Sequence, residues 1–391
     1  MKGRRKKMDS RRMMSAAAAV ASAALVAGCL LQRQEGVDLS AQALAAAEAS
    51  GVGPGAGGTL RIYTWSDYIA PDVIAGFERA LGVKVVVDTF DSNEDMYARL
   101  KAGGAGYDIV MPSSYQIETM AEEGMIDELD HSKLPNVRKN FESTFAFQIL
   151  DPSFEYSVPY AMTYTGLAYR KDKIPAGVAV DSWAVLGNPA VKGRVTLLDD
   201  IREVIGIGLV YLGYSVNSSE PGEIAAAADQ VIKWRCNVRK FDSESYKTEV
   251  PSGETWIGQG YSTDIAQVMS GKGKSGASAR GDVGFAIPKE GFVMAFDEMV
   301  VTKSASRKDL AYAFINYVYD GDVAKANMEY ICGPCPVKPG LAQLEPGFRS
   351  MITLTPSQLN AGQVLRGFDG QPGVMELYNK AWDRIRAAEA R

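Results

Sequence analysis

The chain has 391 residues, 46% hydrophobic and 23% charged, enough apolar material for more than one ordinary domain, and two lobes are expected. Its formal net charge of −5 argues against a nucleic-acid binder, and the single histidine, His131 in a polar Asp-His-Ser-Lys segment, excludes a His-rich metal site. Past the N-terminus no apolar run approaches the roughly 20 residues of a membrane-spanning helix.

The chain begins with Lys2, Arg4, Arg5, Lys6, Lys7, Arg11 and Arg12, followed by the small, apolar stretch 13–28, the pattern of an export signal. Its end, Leu25-Val-Ala-Gly-Cys29, resembles the lipobox of bacterial lipoproteins, which implies cleavage of residues 1–28 and acylation of Cys29. Ser10-Arg-Arg12 bears a weaker resemblance to a twin-arginine signal. Residues 1–28 carry seven basic residues and one acidic residue. Removing them leaves 42 − 7 = 35 basic against 47 − 1 = 46 acidic residues, a formal charge of −11 that suits a host for cations. Residues 29–58 are rich in Ala and Gly and read as a flexible tether.

From residue 60 strands and helices alternate. Residues 60–64 form a strand, and Trp65-Ser66-Asp67-Tyr68 form a turn that groups an indole, a hydroxyl, a carboxylate and a phenol. That set suits an organic cation, because the carboxylate supplies the countercharge and the rings attract an ammonium and cover its methylene chain. Pro71 opens a helix whose Val73, Phe77 and Leu81 share a face. Residues 83–88 form a second strand, 94–102 a helix, 107–111 a third strand that stops at Pro112-Ser113-Ser-Tyr115, and 117–123 a helix closed by Gly124. Repeated β-α-β signals imply a mostly parallel sheet with helices on both faces. Ligands bind such sheets beyond the carboxyl ends of the strands, where the turn at 65–68 and the loop at 113–115 both lie. Helix N-termini at that edge favour anions, so a cation there needs carboxylates, and Asp67 provides one. Neither loop carries a Gly-rich phosphate cradle, and the chain implies no cofactor.

A second α/β region follows Tyr160. Strand 194–198 leads into Asp199-Asp200-Ile-Arg-Glu203 and an apolar helix over 204–212. Asp200 and Glu203 fit a capping box, with ligand binding by Asp200 as the alternative. A further strand enters a loop with Tyr261 and Asp264 before a helix at 265–269, where Asp264 is either a ligand carboxylate or a helix cap. Strand 292–301 interrupts its apolar run with Asp297 and Glu298, and an ionised carboxylate in a buried strand is costly unless paired. A bound cation would pair it.

These stretches together resemble the spermidine/putrescine-binding proteins of bacterial ABC uptake systems over essentially all of 60–391. The matching segments are Thr64-Trp-Ser-Asp-Tyr68, Asp91-Ser-Asn-Glu-Asp-Met-Tyr-Ala-Arg-Leu100, Tyr107-Asp-Ile-Val-Met-Pro-Ser-Ser-Tyr115, Glu123-Gly-Met-Ile126, Ser157-Val-Pro-Tyr160, Leu198-Asp-Asp-Ile-Arg-Glu-Val204, Leu212-Gly-Tyr214 and Ile287-Pro-Lys-Glu-Gly291. The resemblance implies a two-lobed periplasmic-binding-protein fold of type II, with a ligand cleft between the lobes. One lobe would comprise 59–162 and about 296–341, the other about 163–295 and 342–391. It implies aromatic walls at Trp65, Tyr68 and Tyr261, polar contacts at Ser113 and Tyr115, and carboxylates at Asp200 or Glu203 and at Asp297. Ser66, Asp67 and Asp264 match the putrescine-type members more closely. It further implies an exported monomer that is periplasmic or held at the cell surface through Cys29, and that delivers a polyamine to a membrane permease without catalysis. The alternatives are a sensor for a different organic cation and a thiol-disulfide oxidoreductase.

Two departures stand out. Where the family has a Trp or Phe two residues before the pocket Asp, this chain has Ala295. Where it has a Tyr in the loop after the late helix, this chain has Cys332-Gly-Pro-Cys335. A wider pocket and a ligand other than putrescine are the two readings of this. Cys332-Gly-Pro-Cys335 is the active-site motif of thioredoxin-like enzymes, but it follows a helix at 322–330 instead of opening one, so a local disulfide is expected in place of redox chemistry. Cys236 is then a leftover buried thiol.

Overall fold

The computed structural model describes residues 37–388 except 91, 104–105, 147, 272–281 and 369–370. The export signal and Cys29 lie outside the described residues. Val37 and Asp38 belong to a separate N-terminal unit, and the body runs from Leu39 onward.

Among the described residues ten strands build the body: β1 Thr59–Trp65, β2 Lys84–Phe90, β3 Ile109–Val110, β4 Val158–Arg170, β5 Val195–Leu197, β6 Val238–Phe241, β7 Ile257–Tyr261, β8 Val283–Ala286, β9 Phe292–Val301 and β10 Gly362–Val364. The order is β2-β1-β3-β9-β4-β7-β5-β6, with β10 beside β9 and β8 beside β4. The sheet is parallel where sequence alternation implies it: β1 lies parallel to β2 and β3, and β5 to β6 and β7. Between these groups run the long strands β4 and β9, antiparallel to each other. The first half of β4 pairs with β9, and its second half with β7 and β8. These two strands therefore carry the chain from one parallel group to the other.

β4 hides in the sequence because it is almost wholly buried and shows no alternation. Pro159 sits at an irregularity in the pairing with β9, where a missing N–H is tolerated. Gly166 lets β8 approach, since a Cβ there would meet Phe285 Cζ and the Ala286 carbonyl at 2.7 Å.

The helix Pro71–Leu81 follows the pattern foreseen, with Pro71 in its first turn and Val73, Phe77 and Leu81 fully buried, and the structure adds Gly82 at φ 65° as its close. Phe77 meets Phe314 edge-on at 5.2 Å between ring centroids. The tether expected over 29–58 is corrected over 40–49. Ser40–Ala49 is a helix whose Ala43, Ala46 and Ala47 are buried, packing on Pro71–Leu81 and on the helix Lys308–Val318. Asn316 donates to the Ala46 carbonyl at 3.0 Å, and Ser50 Oγ to that of Lys133 at 2.8 Å. The Ala-rich composition that suggested a linker is what lets this helix dock closely, because small side chains leave no ridge between backbones.

No helix among the described residues is long and apolar enough to cross a membrane.

Candidate functional site

Asp297 lies in the middle of β9, fully enclosed by the fold apart from a 5% exposed edge. Its Oδ1 accepts from Ser113 Oγ at 2.7 Å, and its Oδ2 accepts a short hydrogen bond from the Tyr68 hydroxyl. Burial pushes the Asp297 carboxyl up to about 6, against the pull of these hydroxyl donors and of the Trp65 indole. The indole N–H itself finds no hydrogen-bond acceptor in good geometry.

Each donor is held in turn. Asn93, at the start of the helix Asn93–Lys101, accepts from the Ser113 N–H at 3.0 Å and donates to Ser113 Oγ at 3.1 Å and to Tyr115 Oη at 2.8 Å. Tyr160 donates to the Tyr68 carbonyl at 2.7 Å, with the two rings 5.3 Å apart. Burial first and Asp297 second raise the Tyr68 phenol well above its ordinary value, so it stays a donor. Trp65 packs on Phe90 at 4.5 Å.

A second set gathers where β5 runs into the helix Ile201–Tyr211. Asp200 caps that helix, accepting from the Glu203 N–H at 3.0 Å. Only half of the expected capping box forms, because the Glu203 side chain turns inward and accepts from Thr165 Oγ1 at 2.9 Å instead of reaching back to Asp200. Burial, and then the neighbouring Asp200 carboxylate, push Glu203 up to about 8. Tyr261 ends β7 opposite Thr165, and its phenol is raised by burial and then by Asp200 and Glu203. Tyr115 packs on Val210, Val216, Val293 and Leu365, and burial, Glu94 and Asp200 raise it in the same way. Glu94 is itself raised by burial and by Asp200. Arg202 offsets this set only in part: its buried guanidinium pulls Asp200, Glu203 and Glu94 down against the larger effect of burial, while its hydrogen bonds go to the Arg366 carbonyl and to Asn217 Oδ1 and it lies 4.2 Å over the Phe368 ring.

The third set surrounds Asp264. The expected loop is absent: β7 passes directly into the helix Ser262–Ser270, and Asp264 lies in its first turn without capping it. Its carboxylate accepts a short bond from the Tyr246 hydroxyl and is raised by burial, with Lys247 pulling the other way and Glu244 and Asp67 adding to the rise. Asp67 takes the left-handed conformation, φ 56°, in the turn after β1 and accepts from Tyr330 Oη at 3.4 Å. Ser66 is exposed in that turn.

The residues singled out in the sequence, other than Ser66, thus form one electrostatically connected ring, from Trp65, Tyr68, Ser113 and Asp297 through Tyr115, Asp200, Glu203 and Tyr261 to Asp264 and Asp67. Asn93, Glu94, Thr165, Tyr246, Lys247 and Tyr330 join it without having been singled out. Asn93 and Glu94 stand inside a family-matching stretch, which was the available signal; nothing in the sequence marks Lys247. A cavity of about 460 Å³ opens elsewhere, among Tyr164, Ser262, Phe285, Met351, Leu354 and Gln358, and none of the ring residues lines it.

Cys332 and Cys335 are both buried and form no disulfide with each other, which corrects the expected disulfide. Cys332 takes the left-handed conformation at the end of the helix Gly321–Ile331, with its sulfur beside Ser270 Oγ at 3.5 Å and the Glu329 carbonyl at 3.8 Å. Cys335 instead lies among Tyr68, Tyr160 and Tyr319, and burial raises its thiol far above the ordinary value. Cys236 is half-buried, not buried as expected.

Two groups of parallel strands joined by crossing strands, with carboxylates and aromatics gathered at the ends of the parallel strands and in the middle of the crossing strand β9, define a two-lobed solute-binding fold. The family profile described as bacterial extracellular solute-binding protein matches residues 72–350. The chain is 32% identical over 332 residues, 84% of it and 93% of the relative, to the putrescine/cadaverine-binding protein of Pseudomonas aeruginosa. Among solved structures, a putative spermidine/putrescine ABC transporter from Listeria monocytogenes superposes with a TM-score of 0.74 at 32% identity, covering 85% of this chain and 99% of that one. The Tp0655 (TpPotD) lipoprotein of Treponema pallidum superposes at 0.75 with 29% identity, covering 84% and 99%. The chain belongs to the bacterial extracellular solute-binding proteins.

Proposed function

We propose that this protein captures a polyamine, a putrescine-like diamine or spermidine, between its two lobes and presents it to the permease of an ABC importer. The observation that carries this reading is the buried Asp297 carboxylate, joined to a ring of aromatic faces and further carboxylates, Asp67, Asp200, Glu203 and Asp264, that Arg202 and Lys247 offset only in part. Buried carboxylates raised by desolvation are stabilised when a cation arrives, and aromatic walls cover its methylenes. Asp297 would take one ammonium and the Asp67–Asp264 region another, with Trp65, Tyr68 and Tyr261 against the chain and Ser66, Ser113, Tyr115, Asp200 and Glu203 completing the site. The lobes divide at β4 and β9, as 59–162 with about 296–341 and about 163–295 with 342–391. Relatives named for putrescine, cadaverine and spermidine support the ligand class.

The reading includes an exported monomer anchored through an acylated Cys29, in keeping with the lipoprotein named among its structural neighbours. It involves no catalysis: Cys332 closes a helix and the Cys335 thiol is raised by burial, both the reverse of a reactive dithiol. A thermal-shift screen tests it, since a ligand that binds only the folded state raises Tm. Amines should raise Tm; a rise with sugars or anionic solutes and none with amines would overturn it.

A further inference from the structure

The Asp67–Asp264 end of the site contains a cation that belongs to the protein. Lys247 projects from the short helix Tyr246–Ser252, and its Nζ lies 2.6 Å from Glu244 Oε2 and 3.8 Å from Asp264 Oδ2. Its ammonium is stabilised by Asp264, then Glu244, and also by Asp67, against the opposing effect of burial. Asp264 and Asp67, the two carboxylates at this end, thus both act on one lysine.

The helix that carries this lysine is held through its neighbour. Tyr246, its neighbour in the chain, is fully buried, donates to Asp264 and accepts from the Tyr261 N–H at 3.1 Å. Gly260 makes room for the Tyr246 ring, since a Cβ there would fall 2.5 Å from Tyr246 Cε2. The helix carrying Lys247 is therefore keyed to β7 and to the same carboxylate.

We propose that Lys247 is a specificity-determining residue: it partly neutralises the Asp67–Asp264 end, weakening the hold on a second ligand ammonium there relative to the first at Asp297. This rests on the reading of the site as a polyamine cleft. Two like charges sharing one carboxylate repel, and in a half-buried site of intermediate dielectric this outweighs what solvent screening removes. Among the described residues no cation is paired with the carboxylate at the other end: Asp297 is held by the neutral donors Tyr68 and Ser113, with the Trp65 indole beside them. The site should consequently discriminate little between an α,ω-diamine and an amine of equal length whose far end is an uncharged hydroxyl.

The test is calorimetric titration of the full mature chain with putrescine and with 4-amino-1-butanol, in wild type, Lys247→Met and Lys247→Arg. Lys247→Met keeps the apolar stem and removes the charge. It should raise the ratio of diamine to amino-alcohol affinity by about tenfold, mainly by tightening putrescine, while Lys247→Arg keeps the wild-type ratio. A ratio that is unchanged or falls in Lys247→Met, with Tm showing the variant folded, overturns the inference and leaves the polyamine reading standing. Wild type that binds neither amine overturns both.

Discussion

Replacing Asp297 by Asn separates a ligand carboxylate from a structural one, because the two roles predict opposite effects on the unliganded protein. The Asp297 carboxyl is raised from its ordinary value near 3.8 to about 6. A carboxyl raised by folding contributes stability that is fully present below its unfolded pKa and is lost as pH rises through the folded value, so the loss falls between pH 4 and 6 and is complete at pH 7. Two pKa units correspond to roughly 3 kcal/mol. The amide recovers only part of this, since one of its two polar atoms is a donor facing the Tyr68 or Ser113 hydroxyl. Asp297→Asn should therefore raise the Tm of the unliganded protein at pH 7, by an amount equivalent to about 1–3 kcal/mol. The same change should weaken diamine binding by roughly two to three and a half decades, because breaking a buried charge pair costs about 3–5 kcal/mol at 1.4 kcal/mol per decade. Calorimetry on both proteins, with a melting curve of each, measures both quantities. A variant that melts lower and binds amines as before would show that Asp297 serves the fold, and the assignment of the site would fail.

Glu203, raised to about 8, is largely protonated at pH 7, and a cation bound nearby should ionise it; the binding enthalpy should then depend on the buffer's ionisation enthalpy with the sign of proton release, and buffer independence would count against its role. Trp65→Ala should weaken amine binding by about 1–2 kcal/mol through lost cation–π attraction and apolar contact, read from the same titrations. Ala47→Glu places a charge at a fully buried helix position and should lower Tm by several degrees, whereas a mere tether would tolerate it without effect. In the folded protein Cys335 should resist a thiol-specific reagent that labels it in urea; rapid labelling would contradict its burial. Cys29→Ser should move the protein from the membrane fraction to the soluble one without altering ligand affinity, and an unchanged membrane fraction would sink the anchor.

Much of this architecture is written in local chemistry. Pro71 and the Val73–Phe77–Leu81 spacing specify their helix with no outside help, and β9 declares itself as an apolar run whose acidic interruption marks the candidate site. What stayed hidden depends on contacts between distant segments. β4 has no alternation because both faces are covered, and Ser40–Ala49 resembles a linker until Asn316 and the two helices beside it come into view. The same holds for Glu203, whose capping geometry was legible but whose side chain is drawn off by Thr165, a strand residue far along the chain. Lys247 and Tyr330 enter through folding alone, as does the absence of a disulfide between the two thiols that the Cys-Gly-Pro-Cys spacing leads one to pair.

The most direct measurement is a crystal structure of the protein grown with putrescine. One ammonium should lie within about 3 Å of the Asp297 carboxylate, with the methylene chain against Trp65, Tyr68 and Tyr261 and the two strand groups closed over it. An amine found only in the cavity lined by Tyr164, Phe285 and Met351, or a cleft that holds a neutral or anionic solute in preference to the amine, would contradict the account.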